Sequence, residues 1–335
     1  MRLFLTGGTG FIGSRLAAAL RLRGDAVVAL VRSQARAVPL RDLDCELVEG
    51  DLADEEALRS GLEGCDGVVH AAGYYKVGIR TADAARMRDV NVRGTERVID
   101  AAVEAGVGRI LYVSTVNVFG NTTGRVVDET YERRLDDGFL SSYDETKYDA
   151  HRVAVERAGR GAPVLVAQAG VVYGPGDISQ IGEQLRLAQL GKLRYVTFAG
   201  LGFTPVYIDD VVAGLILILD RGRVRESYVL GGEPTTMKEA VTIAARTAGR
   251  KPPRFVMPTT MVRAMTPFAP VIGRLLGLPP NLSELIRASD GVTYWATHAK
   301  AEQELGYAPR DLETGLREMA ARTGSISTTL DGARG

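Results

Sequence analysis

The sequence predicts an α/β fold, a doubly wound parallel sheet with a smaller, interleaved C-terminal lobe. Three observations carry that expectation. Short apolar runs alternate with longer amphipathic ones, and runs such as Val27-Val28-Ala29-Leu30-Val31 suit a sheet covered by helices on both faces. A glycine-rich turn follows the first apolar run directly and opens the first helix. The 335 residues are 45% apolar and 24% charged, the balance of a core-forming chain and not of a disordered or disulfide-held one.

Taken in order, strands are expected at Leu3–Thr6, Ala26–Val31, Glu46–Glu49, Gly67–Ala71, Arg109–Ser114 and Val164–Gln168. Helices are expected between them at Ile12–Arg23, Asp54–Leu62, Arg86–Ala105 and Tyr143–Arg157. Right-handed crossovers between parallel strands then wind helices onto both faces. Beyond about residue 175 the rhythm loosens. Gly174-Pro175-Gly176, Pro252-Pro253 and Pro279-Pro280 punctuate helical stretches near 181–190, 210–221, 237–249, 259–276 and 312–322. From Ser325 onward periodicity is lost, and 325–335 reads as a frayed tail.

The turn Thr6-Gly7-Gly8-Thr9-Gly10-Phe11-Ile12-Gly13 has a physical reading. Gly7 permits the tight turn, Gly10 lets the backbone approach a pyrophosphate, and Gly13 lets the helix pack close to the sheet. The helix start then offers free N–H groups and partial positive charge to phosphates. Thr9, Phe11 and Ile12 complete the expected contact surface. A ribose 2′-hydroxyl is usually held by a carboxylate at the end of strand two, but here Val31 is followed by Arg32, with Arg36 nearby. A guanidinium suits a 2′-phosphate, so NADP is expected over NAD. After strand three, Asp51 and Leu52 are placed at the adenine edge; Asp51 could equally cap the following helix.

The second pattern is Tyr143-Asp144-Glu145-Thr146-Lys147. At i, i+4 the tyrosine and lysine share one helix face. The ammonium is expected to lower the phenol pKa, making Tyr143 an acid/base, and to reach the nicotinamide ribose. Ser114 and Thr115, at the C-terminal end of strand five, stand where open α/β sheets bind ligands and can hydrogen-bond a reacting carbonyl.

Gly7-x2-Gly10-x2-Gly13, Asp51-Leu52, His70-Ala71-Ala72, Asn91-Val92-x-Gly94-Thr95, Ser114-Thr115, Tyr143-x3-Lys147 and Val172-Tyr173-Gly174-Pro175-Gly176-Asp177 occur in the order of the extended short-chain dehydrogenase/reductase family. Tyr207-Ile208-Asp209-Asp210-Val211 and Glu304-Leu305-Gly306-Tyr307-x-Pro309 extend the resemblance over nearly the whole chain. The resemblance implies a Rossmann fold in which Thr115, Tyr143 and Lys147 form the catalytic triad. It also implies that Ala71 and Ala72 pass under the cofactor and that Asn91 supports the lysine. Within the family the chain resembles dihydroflavonol reductase-like and hopanoid-associated sugar epimerase-like bacterial members, whose second strand ends as Ala29-Leu30-Val31-Arg32 does here.

Two departures bear on the substrate. Nucleotide-sugar epimerases of the family carry an arginine shortly before the Asp-Asp-Val segment, where this chain reads Gly202-Phe203-Thr204-Pro205. The usual Asn-Pro or Arg-Pro after strand six is Gln168-Ala169. A segment rich in Met, Phe and Leu, 258–276, suits either an apolar substrate or plain packing.

These readings give an NADP-binding Rossmann domain over 1–175, which holds the Thr/Tyr/Lys groups, and a mainly substrate-binding lobe over 176–324. The expected function is an NADP(H)-dependent oxidoreductase acting on a small ketone, aldehyde or secondary alcohol. The alternatives are a nucleotide-sugar epimerase or dehydratase with a recycled cofactor, and a non-catalytic dinucleotide sensor. Forty-one basic residues balance 41 acidic ones, so no global field is expected to draw the chain onto nucleic acid or anionic lipid. No apolar run approaches the ~20 residues of a membrane span. Three scattered histidines lack metal-ligand spacing. Two cysteines and no signal-like N-terminus point to the cytoplasm. Family resemblance implies a homodimer through the helices near 91–105 and 143–157.

Overall fold

A computed structural model describes residues 1–268 and 279–331. Its centre is a parallel sheet of seven strands. They are β1 (Arg2–Thr6), β2 (Ala26–Val31), β3 (Glu46–Glu49), β4 (Gly67–His70), β5 (Arg109–Thr115), β6 (Val164–Ala169) and β7 (Ser227–Leu230). Across the sheet the order is β7-β6-β5-β4-β1-β2-β3. The winding reverses between β1 and β4, so a crevice opens beyond the carboxyl ends of those neighbours.

The sheet is covered on both sides. Leu16 and Leu20 of the first helix (Phe11–Leu22) pack with Val211 and Leu215 of helix Ile208–Arg221 against one face. Leu58, Val98, Ala150 and Ala154, from helices Glu55–Leu62, Gly94–Glu104 and Ser142–Gly159, fill the other. This is why Val28 and Ala29, adjacent in sequence and facing opposite ways, are both fully buried. A third cluster, with Phe119, Tyr173, Phe203, Tyr207, Met237 and Leu282, joins the sheet to the lobe.

The first six strands lie where the sequence places them, within a residue at either end. The seventh is not legible beforehand. Ser-Tyr-Val-Leu is short and follows the charged run Arg221 to Glu226, yet it pairs with β6 in the register Ser227↔Val166. The chain thus leaves the sheet after β6 and returns to it once. The helix expected at Arg86–Ala105 is three pieces, Thr81–Arg88, a π turn Asp89–Arg93, and Gly94–Glu104. The stretch 259–276 holds a helix at Thr259–Ala264 and a 3-10 turn at Thr266–Phe268; its remainder, 269–276, lies outside the described residues.

The last helix, expected to stop near 322, runs Leu312–Asp331. Lost periodicity says that a segment has no apolar face to bury; it does not by itself end the backbone ladder, and no proline interrupts this one. Residues 332–335 lie outside the described residues. The lobe adds short strands, among them Gly202–Phe203 between Thr235–Thr236 and Thr293–Tyr294, and a parallel pair Tyr195–Val196 with Phe255–Val256. Among the described residues no helix is long and apolar enough to cross a membrane.

Candidate active site

The glycine turn sits at the switch point. Gly7 has φ +76°, and a Cβ there would lie 2.6 Å from Ala72 N and 2.7 Å from the Ala71 carbonyl. The bare backbone therefore brings Ala71-Ala72, at the end of β4, directly against the turn. A Cβ on Gly13 would meet the Gly7 carbonyl oxygen at 2.1 Å, so the helix can begin this close only as glycine. Gly10 N–H donates to Gly7 O at 2.9 Å, and no side chain caps the helix start. Its first amides are left for an anion, which fits a pyrophosphate. Behind the turn, buried His70 bonds Thr6 Oγ1 at 2.6 Å and Thr95 Oγ1 at 3.1 Å. Burial pushes its pKa down to about 3, so it is a neutral strut.

Beside the turn is a cavity of about 570 Å³ lined by Arg32, Glu49, Gly50, Asp51, Ala53 and Asp54. The helix that follows is capped by Asp54, which accepts from Ala57 N at 3.0 Å. Asp51 is thus free of that duty. Its Oδ1 accepts from Ala53 N at 2.8 Å and it remains exposed in the cavity. Arg32 and Arg36 are exposed and have no carboxylate partner among the described residues. Leu52 instead turns onto the helix at Gly94, where its Cδ1 would lie 2.6 Å from a Cβ.

Ser142–Gly159 carries the tyrosine and the lysine. Its start is fixed by Ser141 Oγ, which accepts from Asp144 N at 3.0 Å. Lys147 is buried and points into β5, donating to Val113 O at 3.0 Å and Tyr112 OH at 2.9 Å. One turn earlier, Tyr143 lies edge-on to Tyr75 with ring centroids 4.8 Å apart. The expected lowering of the Tyr143 pKa is not found. Burial, with Tyr75, Tyr112 and Asp144 beside it, pushes the phenol well above the usual tyrosine range. The physical reason is desolvation, which favours the neutral phenol and outweighs a nearby ammonium.

Of the β5 hydroxyls, Ser114 Oγ lies 3.1 Å from His151 Nδ1 on the same helix. Burial pushes that imidazole down to about 4. Thr115 Oγ1 accepts from Asn117 N at 3.3 Å and so starts the turn Val116–Phe119. Asn91, inside the π turn, donates to Thr146 Oγ1 at 3.0 Å and accepts from Tyr74 N at 2.7 Å. It therefore braces the residue before Lys147 and the loop carrying Tyr75, not the ammonium itself. The structure brings together the glycine turn, Ala71-Ala72, and the Tyr143 and Lys147 helix. Of the expected site residues, it turns Leu52 and Ser114 toward protein partners.

Sequence reasoning missed several residues here. Tyr75 is 56% exposed and packs edge-on against Tyr143. Arg133 and Asp144 form a bidentate ion pair at 2.6 and 2.7 Å just under the start of the Tyr143 helix. Glu284, from the lobe, accepts from Ser142 N at 2.5 Å, while its Oε2 is buried without a partner among the described residues. No local pattern announces these contacts. We expect Glu284→Ala to lower stability by about 1–3 kcal/mol, the cost of leaving that amide unsatisfied. An unchanged denaturation midpoint would show that the contact carries no weight.

A parallel sheet with a bare glycine turn at its switch point, and a Tyr-x3-Lys helix beside it, defines a nicotinamide-dinucleotide enzyme of the extended short-chain dehydrogenase/reductase type. The chain belongs to the NAD dependent epimerase/dehydratase family, whose profile matches residues 3–231. It is 30% identical over 315 residues to a 4-hydroxy-2-methyl-3-oxo-4-farnesyl-3,4-dihydroquinoline-1-oxide ketoreductase of Stigmatella aurantiaca, covering 92% of each chain. It is 27% identical to a putative dihydroflavonol 4-reductase of Synechocystis, covering 94% of this chain and 92% of the other. Among solved structures, a double mutant of the dTDP-glucose 4,6-dehydratase DesIV of Streptomyces venezuelae, solved with NAD and DAU bound, is 26% identical with a TM-score of 0.75, covering 96% of each chain.

Proposed function

We propose that this enzyme is an NADPH-dependent ketoreductase of apolar carbonyl compounds. The observation that carries the reading is the helix Ser142–Gly159 beside the bare glycine turn, with Tyr143 one turn before a Lys147 bonded to β5, the arrangement a proton-donating phenol needs. The nicotinamide, when bound, supplies the hydride. Tyr143 gives its proton to the forming alkoxide, and Thr115 at the end of β5 orients the carbonyl oxygen. Lys147 anchors the helix to β5 and so holds Tyr143 in position. Ser114 acts through His151, holding the helix in place.

The substrate class follows from the walls. Tyr75 lies over Tyr143, and Phe11 of the glycine turn packs near Gly176. The segment that would carry a diphosphate-binding arginine is instead the buried strand Gly202–Phe203 and buried Thr204. The ketoreductase relative acts, by its name, on a farnesylated compound, which fits an apolar cleft. Stoichiometric NADPH oxidation with aliphatic and aromatic ketones tests the reading. Epimer exchange or dehydration of nucleotide sugars without net cofactor use would replace it.

NADP selectivity rests on Arg32, which lines the adenine-side cavity with no carboxylate partner. Arg32→Asp is expected to weaken NADPH about 10–100-fold, the loss of one charge-assisted bond, while sparing NADH. Fluorescence titration of both cofactors reads this, and an unchanged ratio would remove Arg32 from the 2′-phosphate site. A homodimer is proposed through the outer faces of Gly94–Glu104 and Ser142–Gly159, where Val103 and Val155 are exposed.

A further inference from the structure

Thr6, His70, Asn91, Thr95 and Thr146 come from five separate elements, and none is more than 3% exposed. Buried polar groups of this kind are costly unless every one is bonded, and here each proton has a single place to go. Thr95 Oγ1 lies 2.6 Å from the Asn91 carbonyl oxygen, which can only accept, so the Thr95 hydroxyl donates there. Toward His70 Nε2, 3.1 Å away, the same oxygen can then only accept, which puts the imidazole proton on Nε2. Nδ1 is left with its lone pair and accepts from the Thr6 hydroxyl at 2.6 Å. Thr6 Oγ1 in turn accepts from Ala72 N at 3.4 Å. A second proton, on Nδ1, would leave the Thr6 hydroxyl with no acceptor among the described residues. Burial and the Lys147 ammonium both oppose that proton.

The run continues beyond Thr95. The Asn91 side-chain oxygen is held by Tyr74 N at 2.7 Å, so its amide nitrogen is the atom that faces Thr146, and it donates to Oγ1 at 3.0 Å. The Thr146 hydroxyl donates to the Tyr143 carbonyl at 3.1 Å. From Ala72 to Tyr143, every donor therefore points the same way. One end is the backbone pressed against Gly7, and the other is the main chain of the tyrosine itself. The His70 ring also stacks 5.7 Å from that of Tyr112, whose hydroxyl accepts from Lys147 on the same helix as Tyr143.

We propose that His70, as its Nε2–H tautomer, is a positioning residue: the one-way chain it centres fixes Tyr143 relative to the glycine turn, and so the phenol relative to a bound nicotinamide. A fully satisfied network admits one arrangement of its members, which packing alone does not guarantee. The role in reduction rests on the ketoreductase reading, whereas the chain is a property of the fold. Proton–nitrogen correlation spectra of the full chain, isotope-labelled on its three histidines, read the tautomer; His151→Gln and His298→Gln assign His70 by elimination. A protonated Nε2 and a bare Nδ1 are expected, unchanged from about pH 5 to about pH 9. A proton on Nδ1, with or without one on Nε2, overturns the proposal. Thr95→Val keeps the shape and removes the acceptor of the Nε2 proton. It should lower kcat for NADPH oxidation with a ketone about 10–100-fold, the scale on which small misplacements act, with the NADPH KM nearly unchanged. Thr95→Ser keeps the hydroxyl and should recover most of that rate, whereas a space-filling role would be met by valine. Valine at full rate, or serine as slow as valine, overturns the role. A wild-type chain that oxidises no NADPH with any ketone removes the ketoreductase reading, and the imidazole spectrum still decides the chain.

Discussion

Tyr143→Phe is expected to lower kcat about 10²–10⁴-fold, the span for loss of a positioned general acid. NADPH affinity should hold, because the ring that packs edge-on against Tyr75 is retained and only the hydroxyl goes. The sign of the pH dependence follows from the raised pKa. Reduction needs the protonated phenol, which burial keeps protonated through neutral pH and past the usual tyrosine range near about 10. The rate of reduction therefore stays level through neutral pH and declines only as pH climbs through the elevated pKa. Steady-state rates across pH, with a parallel cofactor titration, check both parts. Undiminished turnover in the phenylalanine variant would assign the proton to another group.

Asp144→Ala is expected to cost about 3–5 kcal/mol, the range for breaking a buried ion pair from one side. The Arg133 side chain is 4% exposed and that of Asp144 1%, so the orphaned guanidinium could not recover its lost partner from water. Asp144 also accepts from Leu140 N at 2.9 Å, so the variant loosens the loop that leads into the Tyr143 helix. Arg133 stacks over Phe139 at 4.5 Å, so its stem has an apolar seat. Adding Arg133→Met should accordingly restore part of the loss, by removing the uncompensated charge and keeping the packing. Chemical denaturation of both variants measures this; a single-variant loss under about 1 kcal/mol would mean that solvent reaches Arg133.

Much of the fold was legible because its signals are local. An apolar run between Gly67 and His70, or the stripe Ile12, Leu16 and Leu20, reports burial on one face or two without knowledge of the partner. β7 escaped because four residues after a charged run carry too little pattern, and only pairing with β6 makes them a strand. The π turn escaped for another reason. Asp89–Arg93 keeps helical composition, and what sets the turn apart, Asn91 bonding both Tyr74 and Thr146, joins segments distant in sequence.

The same division runs through the site. Spacing placed tyrosine and lysine on one helix face, but it could not say where the ammonium goes. Tyr112 and Val113 take it, and spacing could not show that burial raises the Tyr143 pKa.

What the sequence by itself determined is the doubly wound sheet, the bare glycine turn after β1, and the pairing of Tyr143 with Lys147 on one helix. Each depends on residues within one or two turns of each other, where periodicity and steric bulk act. Tertiary structure alone decided which groups lose their water and which charges meet: Arg133 with Asp144, Glu284 with Ser142, and Tyr75 over Tyr143. Desolvation and ion pairing depend on distances through space, and folding sets those distances between segments that the chain itself keeps far apart.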